Sequence, residues 1–282
     1  MEDPTVRVEP PRIGSSGSRT HLRTHDGLWL SGTLTPADPA AGGEAARAAL
    51  FLHAEGATRE QGGLYTTVAH ALARGGVTGL RFDLPGHGVS EGRQAELSLS
   101  GLLNVISAGS RLLRERTGAE QVDLVAAGLT GGVAAGYAAR RGDEVRRLVL
   151  CDPLIDYKEH FVDGSTAWHD GYLDEVTGRE LVADGRVRYS PGLLLGRAML
   201  NEVFWLQPRG VLAAITAPTL IVHGSGASTV PLRSSRTAAD ALTGESRLQQ
   251  VTGSPRSRRA AAATAAVGWL LGSGAGRRTV DP

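Results

Sequence analysis

Cysteine is all but missing from this 282-residue chain, with Cys151 the only one. No intrachain disulfide can form, and a reducing, cytoplasmic setting is the expectation. Long apolar runs are missing too. No stretch approaches the roughly 20 residues that a bilayer-spanning helix needs. The opening MEDPTVRVEPPRIGSSGSR lacks the apolar centre of a signal peptide. Excess charge is also lacking: 30 Lys+Arg face 29 Asp+Glu, a formal net charge of +1. Such a balance gives no field directed at nucleic acid or an anionic membrane. Lysine is scarce, and the basic residues are almost all arginine. With abundant Ala and Gly, this reads as genome composition before function. The 8 histidines show no H-E-x-x-H spacing. No phosphate-cradling glycine motif appears either, so no metal or other cofactor is implied.

What remains is enough for a core. Hydrophobic residues make up 41% of the chain. The length suits one large α/β domain with an inserted lid. HLRTH and LWLSGTL, flanking Asp26-Gly27, predict a hairpin. Continuous apolar β-runs follow at Ala49 to His53, Val77 to Asp83, Val122 to Ala127, Val145 to Cys151, Pro218 to Gly224 and Ser246 to Val251. Helical patterns separate them near Gln61 to Arg74, Leu97 to Arg116, Gly131 to Arg141 and Pro231 to Leu242, and a last helix spans about Ser257 to Leu271. Apolar strands alternating with helices predict a mostly parallel, doubly wound sheet covered on both faces. In such a sheet the site lies beyond the carboxyl ends of the strands. The expected organisation is a loose tail over 1–19, a core from 20–151 and 216–271, an aromatic-rich helical lid over 152–215, and a second tail over 272–282.

Three turns carry a resemblance. DLPGHGVSEG (Asp83 to Gly92) resembles the D-x-x-G-x-G-x-S turn of α/β-hydrolases. LFLHAEGATRE (Leu50 to Glu60) resembles their oxyanion loop. PTLIVHG followed by Val230-Pro231 resembles the strand and turn that carry their catalytic acid. The resemblance covers about Leu28 to Leu271. It is closest to lidded esterases of the feruloyl or cinnamoyl esterase and monoglyceride-lipase type. It implies an α/β-hydrolase fold and, by default, a Ser-His-Asp triad.

The triad positions hold other residues. Members of this family place the nucleophile at the centre of G-x-S-x-G, on a tight strand-to-helix turn. Here the segment reads VDLVAAGLTGG. Counting forward from the strand at Val122, or backward from VRRLVL, puts the nucleophile position at Gly128. A rival register makes Thr130 the nucleophile. The carboxylate position reads Ala227, and the histidine position reads Arg256. Arginine cannot shuttle protons near neutral pH. The oxyanion loop carries Glu55 after Ala54, where the family has an apolar residue. A carboxylate there opposes the charge of an acyl-transfer transition state. It suits acid or base chemistry instead, with Arg256 as a candidate ion-pair partner. Asp152, after the strand that ends in Cys151, is a further candidate acid.

The expected site therefore has Glu55, Arg256 and Asp152 as candidate catalytic groups. Gly128, Ala227 and Arg256 stand at degenerate triad positions. Ala54, Glu55, Leu129, His160, Trp168, His169 and Trp205 are candidates to contact a small apolar ligand. Three functions compete. One is a non-hydrolytic enzyme (cyclase, dehydratase, isomerase or lyase) acting on a natural-product-like molecule. Another is a ligand- or partner-binding pseudo-hydrolase, and the third an esterase using Thr130. A homodimer or a protein partner stays open.

Overall fold

The computed structural model describes residues 17–42, 46–190, 192–225, 228–272 and 279–280. Of the expected tail over 1–19, residues 1–16 lie outside them. The predicted hairpin is formed by β1 (Ser18–Arg23) and β2 (Trp29–Thr35), paired antiparallel. Residues 18 and 19 thus belong to a strand.

The apolar runs become β3 (Arg47–Leu52), β4 (Val77–Phe82), β5 (Val122–Ala127) and β6 (Val145–Cys151). All six residues of β5 are buried, because helices cover both faces of the sheet. Between these strands run α1 (Leu64–Arg74), α2 (Leu99–Thr117) and α3 (Leu129–Arg140). Helix α1 buries Tyr65, Val68, Ala69 and Leu72, one stripe at i, i+3, i+4 and i+7. Helix α2 starts where the Ser98 hydroxyl accepts the Gly101 N–H at 2.9 Å, and it ends at left-handed Gly118.

Residues 152–215 leave the sheet and return to it. They contain two short strands, β7 (Trp168–His169) and β8 (Tyr172–Leu173), then α4 (Glu175–Asp184). A second hairpin, β9 (Arg186–Ser190) with β10 (Leu193–Gly196), precedes α5 (Arg197–Trp205). A wholly helical lid was expected. The hairpin departs from that because Val187 is buried between exposed Arg186 and Arg188, and Leu193 and Leu195 are buried on either side of Leu194, a period of two rather than 3.6. The chain re-enters the sheet as β11 (Thr219–Gly224), followed by α6 (Leu232–Ala241), β12 (Ser246–Val251) and α7 (Pro255–Leu271). A last strand, β13 (Thr279–Val280), pairs with β12, inside the expected second tail.

The sheet order is β1-β2-β4-β3-β5-β6-β11-β12-β13. The contacts of β2 with β1 and β4 are antiparallel, and the remaining neighbours are parallel. One core lies on the side of α2, α3 and residues 152–215. The other lies under α1 and α7, where Leu72, Ala266 and Leu270 meet Phe51 and Val149. The expected mostly parallel, doubly wound α/β sheet is the observed one. No helix among the described residues is long and apolar enough to cross a membrane.

Candidate functional site

The carboxyl ends of β3, β5, β6, β11 and β12 point to one side, and the loops there build the site. The sharpest of these turns joins β5 to α3 at Gly128. Its φ of 56° and ψ of −128° suit glycine and strain any other residue. Gly128 therefore sits at the strand-to-helix apex. Thr130 lies one step inside α3, 1% exposed. Its hydroxyl lies against three carbonyls, those of Leu52, His53 and Ala127. That hydroxyl pins α3 to β3 and has no base beside it. The imidazole of His53, whose carbonyl that hydroxyl touches, is spoken for: its Nε2 accepts the Leu84 N–H at 2.9 Å and its Nδ1 faces the Ala54 carbonyl. Burial pushes it down to about 4, so it stays neutral.

The loop after β3 is tied down from several sides. The Arg59 guanidinium pairs with buried Asp83 at 2.7 Å, and the Arg59 N–H donates to the same carboxylate. The Ala54 N–H donates to Gln61 Oε1 at 2.9 Å. Asp83 and His87 thus serve the turn after β4 as clamps on the oxyanion loop. What this loop presents is Glu55. Its Oε2 accepts the Leu129 N–H at 2.9 Å. Its own backbone N–H also bonds the carboxylate.

Those are the donors that acyl transfer needs. In the family fold the oxyanion is held by the N–H after the nucleophile and by one from the loop after β3. Here the Glu55 carboxylate fills that seat. A Cβ on Gly128 would lie 2.6 Å from Glu55 Oε2, so the side chain also takes the room of a nucleophile. Burial pushes the Glu55 carboxyl up, against the downward pull of the two N–H groups. Tyr157, whose hydroxyl donates to the Leu129 carbonyl at 2.8 Å, and Tyr189 feel the Glu55 charge. Gly192, at the turn of the β9–β10 hairpin, lies close against Gly56.

Beside Glu55 opens a cavity of about 330 Å³. Its polar lining includes Glu55, Asp152, Ser228, Arg258 and Arg259, and its apolar lining includes Leu64, Val222 and Val251. Ala54 and Gly128 line it as well. Asp152 follows β6 in a left-handed conformation, φ 45°. Its carboxylate accepts the Gly224 N–H at 2.8 Å and lies 3.2 Å from His223 Nδ1. That same Nδ1 lies 2.9 Å from the Ser235 hydroxyl. Burial raises Asp152 and lowers His223, which favours the uncharged forms.

Several expected partners lie elsewhere. Ala227 falls outside the described residues. Arg256 does not face Glu55 and does not line the cavity. Thr252 to Ser257 are all exposed, because the first turn of α7 projects past the sheet before the helix packs on it. Arg258 and Arg259 reach the cavity in its place. The SPRSRR run held that signal, but the family histidine position drew attention to its first arginine. Leu129 contributes backbone only, its side chain being buried in the core. The lid candidates are spread over separate surfaces. His160 lines a small cleft with Glu159 and Arg233. Trp168 packs on Phe204, ring centroids 5.0 Å apart, beside another cavity. His169 is exposed, and Trp205, 77% exposed, borders a surface cleft with Leu99 and Leu103. None of these four meets Glu55, because the β9–β10 hairpin rather than the aromatic helices covers the oxyanion loop. No cluster of His, Cys, Asp and Glu able to hold a metal occurs among the described residues.

Residues 45–179 match the model of the family described as Serine aminopeptidase, S33. Est1E from Butyrivibrio proteoclasticus, solved with ferulic acid bound, superposes with a TM-score of 0.71 at 19% identity, over 87% of this chain and 96% of that one. A putative hydrolase from Agrobacterium vitis gives 0.69 at 18% identity, over 92% and 100% of the two chains. Mouse alpha/beta hydrolase domain-containing protein 10 gives 0.67 at 16% identity, over 90% and 96%. No curated protein sequence matches the chain. Sheet order, strand-to-helix elbow and structural likeness agree on one architecture: this chain has the α/β-hydrolase fold.

Proposed function

We propose that this protein is a non-hydrolytic enzyme of the α/β-hydrolase fold, with Glu55 as its proton-handling group. The observation that carries the reading is the Glu55 carboxylate on the Leu129 N–H, beneath a glycine elbow. An ester carbonyl has no nucleophile to meet there, and its oxygen would have to evict a carboxylate. A half-buried carboxyl with a raised pKa is suited to donate a proton, or to take one once a substrate shields it from water. Asp152, also in the cavity lining, is a second acid within the same space. Two acids and no nucleophile suit cyclisation, dehydration, isomerisation or elimination of a small, largely apolar substrate, in which the enzyme orients the reactant and moves a proton.

The Glu55–Leu129 contact also favours a second reading. A protein that satisfies its own oxyanion donors needs no substrate to complete it, so a ligand-binding pseudo-hydrolase is the competing function. An esterase working through Thr130 lacks comparable support, since that hydroxyl faces carbonyls. Glu55→Gln separates enzyme from binder. With a substrate found by screening small hydroxylated and unsaturated natural-product-like molecules, Glu55→Gln should lower turnover by about 100-fold or more. Affinity should stay within roughly tenfold, about 1.4 kcal/mol. Turnover unchanged in Glu55→Gln removes this residue from the mechanism, and turnover in neither form favours the binder.

A further inference from the structure

The cavity beside Glu55 carries cations that the fold does not require. Arg258 and Arg259 both line it, entering from the first turns of α7. The first turn of α7 holds no acidic residue. Arginines at a helix N-terminus oppose the helix dipole, which favours anions there. Neither guanidinium forms an ion pair among the described residues. Arg258 is half-buried, and its Nη1 donates to the Gly253 carbonyl at 2.5 Å. Asp152, which like Arg258 lies beside Gly224, attracts it, but that carboxylate is already engaged by the Gly224 N–H and His223. Arg259 is exposed at the rim, beside Gly62 and Gly63. Leu64, Val222, Val251 and Ala262 supply apolar wall next to both.

We infer that Arg258 and Arg259 form a binding site for the carboxylate of an organic acid whose apolar body occupies the cavity, turned toward Glu55 and Asp152. This deepens the reading of the cavity as the working site and rests on it for the ligand's orientation, though not for its charge. A planar guanidinium matches a carboxylate with paired N–H donors. The site thus selects a substrate with its negative charge at one end and its reacting carbon near Glu55.

Isothermal titration calorimetry with benzoate, and with benzamide as its neutral counterpart, tests this on the full chain. Wild type should bind benzoate at least tenfold more tightly than benzamide. Arg258→Gln and Arg259→Gln should each weaken benzoate severalfold, and their combination at least tenfold, with benzamide unaffected. Arg258→Lys, which keeps the charge, should recover part of the loss. Arg256→Gln, on the exposed start of the same helix, should bind as wild type does. Benzamide binding as tightly as benzoate, no benzoate binding at millimolar concentration, or an equal loss in Arg256→Gln would overturn the proposal. Glu55→Gln should still bind benzoate. Retained binding with unaltered turnover in that variant would sink the Glu55 mechanism and leave the carboxylate site standing.

Discussion

Gly128 and Glu55 define each other. The backbone at 128 is bent into a conformation that a serine could hold only with strain. Glycine carries neither the strain nor a side chain, and the Glu55 carboxylate lies where a Cβ would otherwise sit. Gly128→Ala should therefore do two things. It should cost about 1–3 kcal/mol of stability through the backbone conformation alone. It should also push Glu55 off the Leu129 N–H, since the new Cβ would lie 2.6 Å from Oε2. Urea unfolding of wild type, Gly128→Ala, Glu55→Ala and the double variant measures the second effect as a coupling. Neighbouring sites that clash in this way couple by roughly 0.5–3 kcal/mol. An equal cost of Gly128→Ala with and without Glu55 would mean that the two residues do not compete for the same space.

At the scale of elements, α3 is the piece on which the site is built. It presents the Leu129 N–H, and its glycines let the chain after β6 lie directly on it. A Cβ on Gly132 would run into the Leu154 carbonyl and the Tyr157 hydroxyl. Gly132→Ala should destabilise by about 1–3 kcal/mol, as overpacking does, with a fall in Tm of several degrees. Gly178, inside α4, has open space around its Cβ position. Gly178→Ala should instead be neutral or gain up to about 1 kcal/mol. Thermal melts of the two variants that moved together would refute this account of α3.

The same scale shows what the sequence could and could not reveal. VDLVAA and VRRLVLC are continuous apolar runs, and strands buried on both faces leave no other pattern, so β5 and β6 were legible to the residue. The elbow at Gly128 followed from counting along them. The β9–β10 hairpin was hidden because its strands are short and its Val187 and Leu195 look like either period. The lid aromatics were legible as residues but not as a site, since sequence spacing says nothing of which surface a lid helix covers. Arg256 was misread for a related reason. A family position marks the loop, while the helix phase that decides which arginine reaches the cavity depends on where α7 begins. Glu55 was visible as an anomaly, but its seat on the Leu129 N–H is a contact across 74 residues.

The whole molecule has the α/β-hydrolase fold, with a carboxylic acid at the corner where that fold places an oxyanion. The sheet, the Asp83 clamp and the elbow together hold Glu55 there, against the Leu129 N–H. The most direct test is incubation of the folded protein with a fluorophosphonate probe and with p-nitrophenyl acetate, followed by intact-mass measurement. The account predicts no phosphonyl adduct and no ester hydrolysis above a buffer blank. A stoichiometric adduct on Thr130, or on any serine lining the cavity, would contradict it.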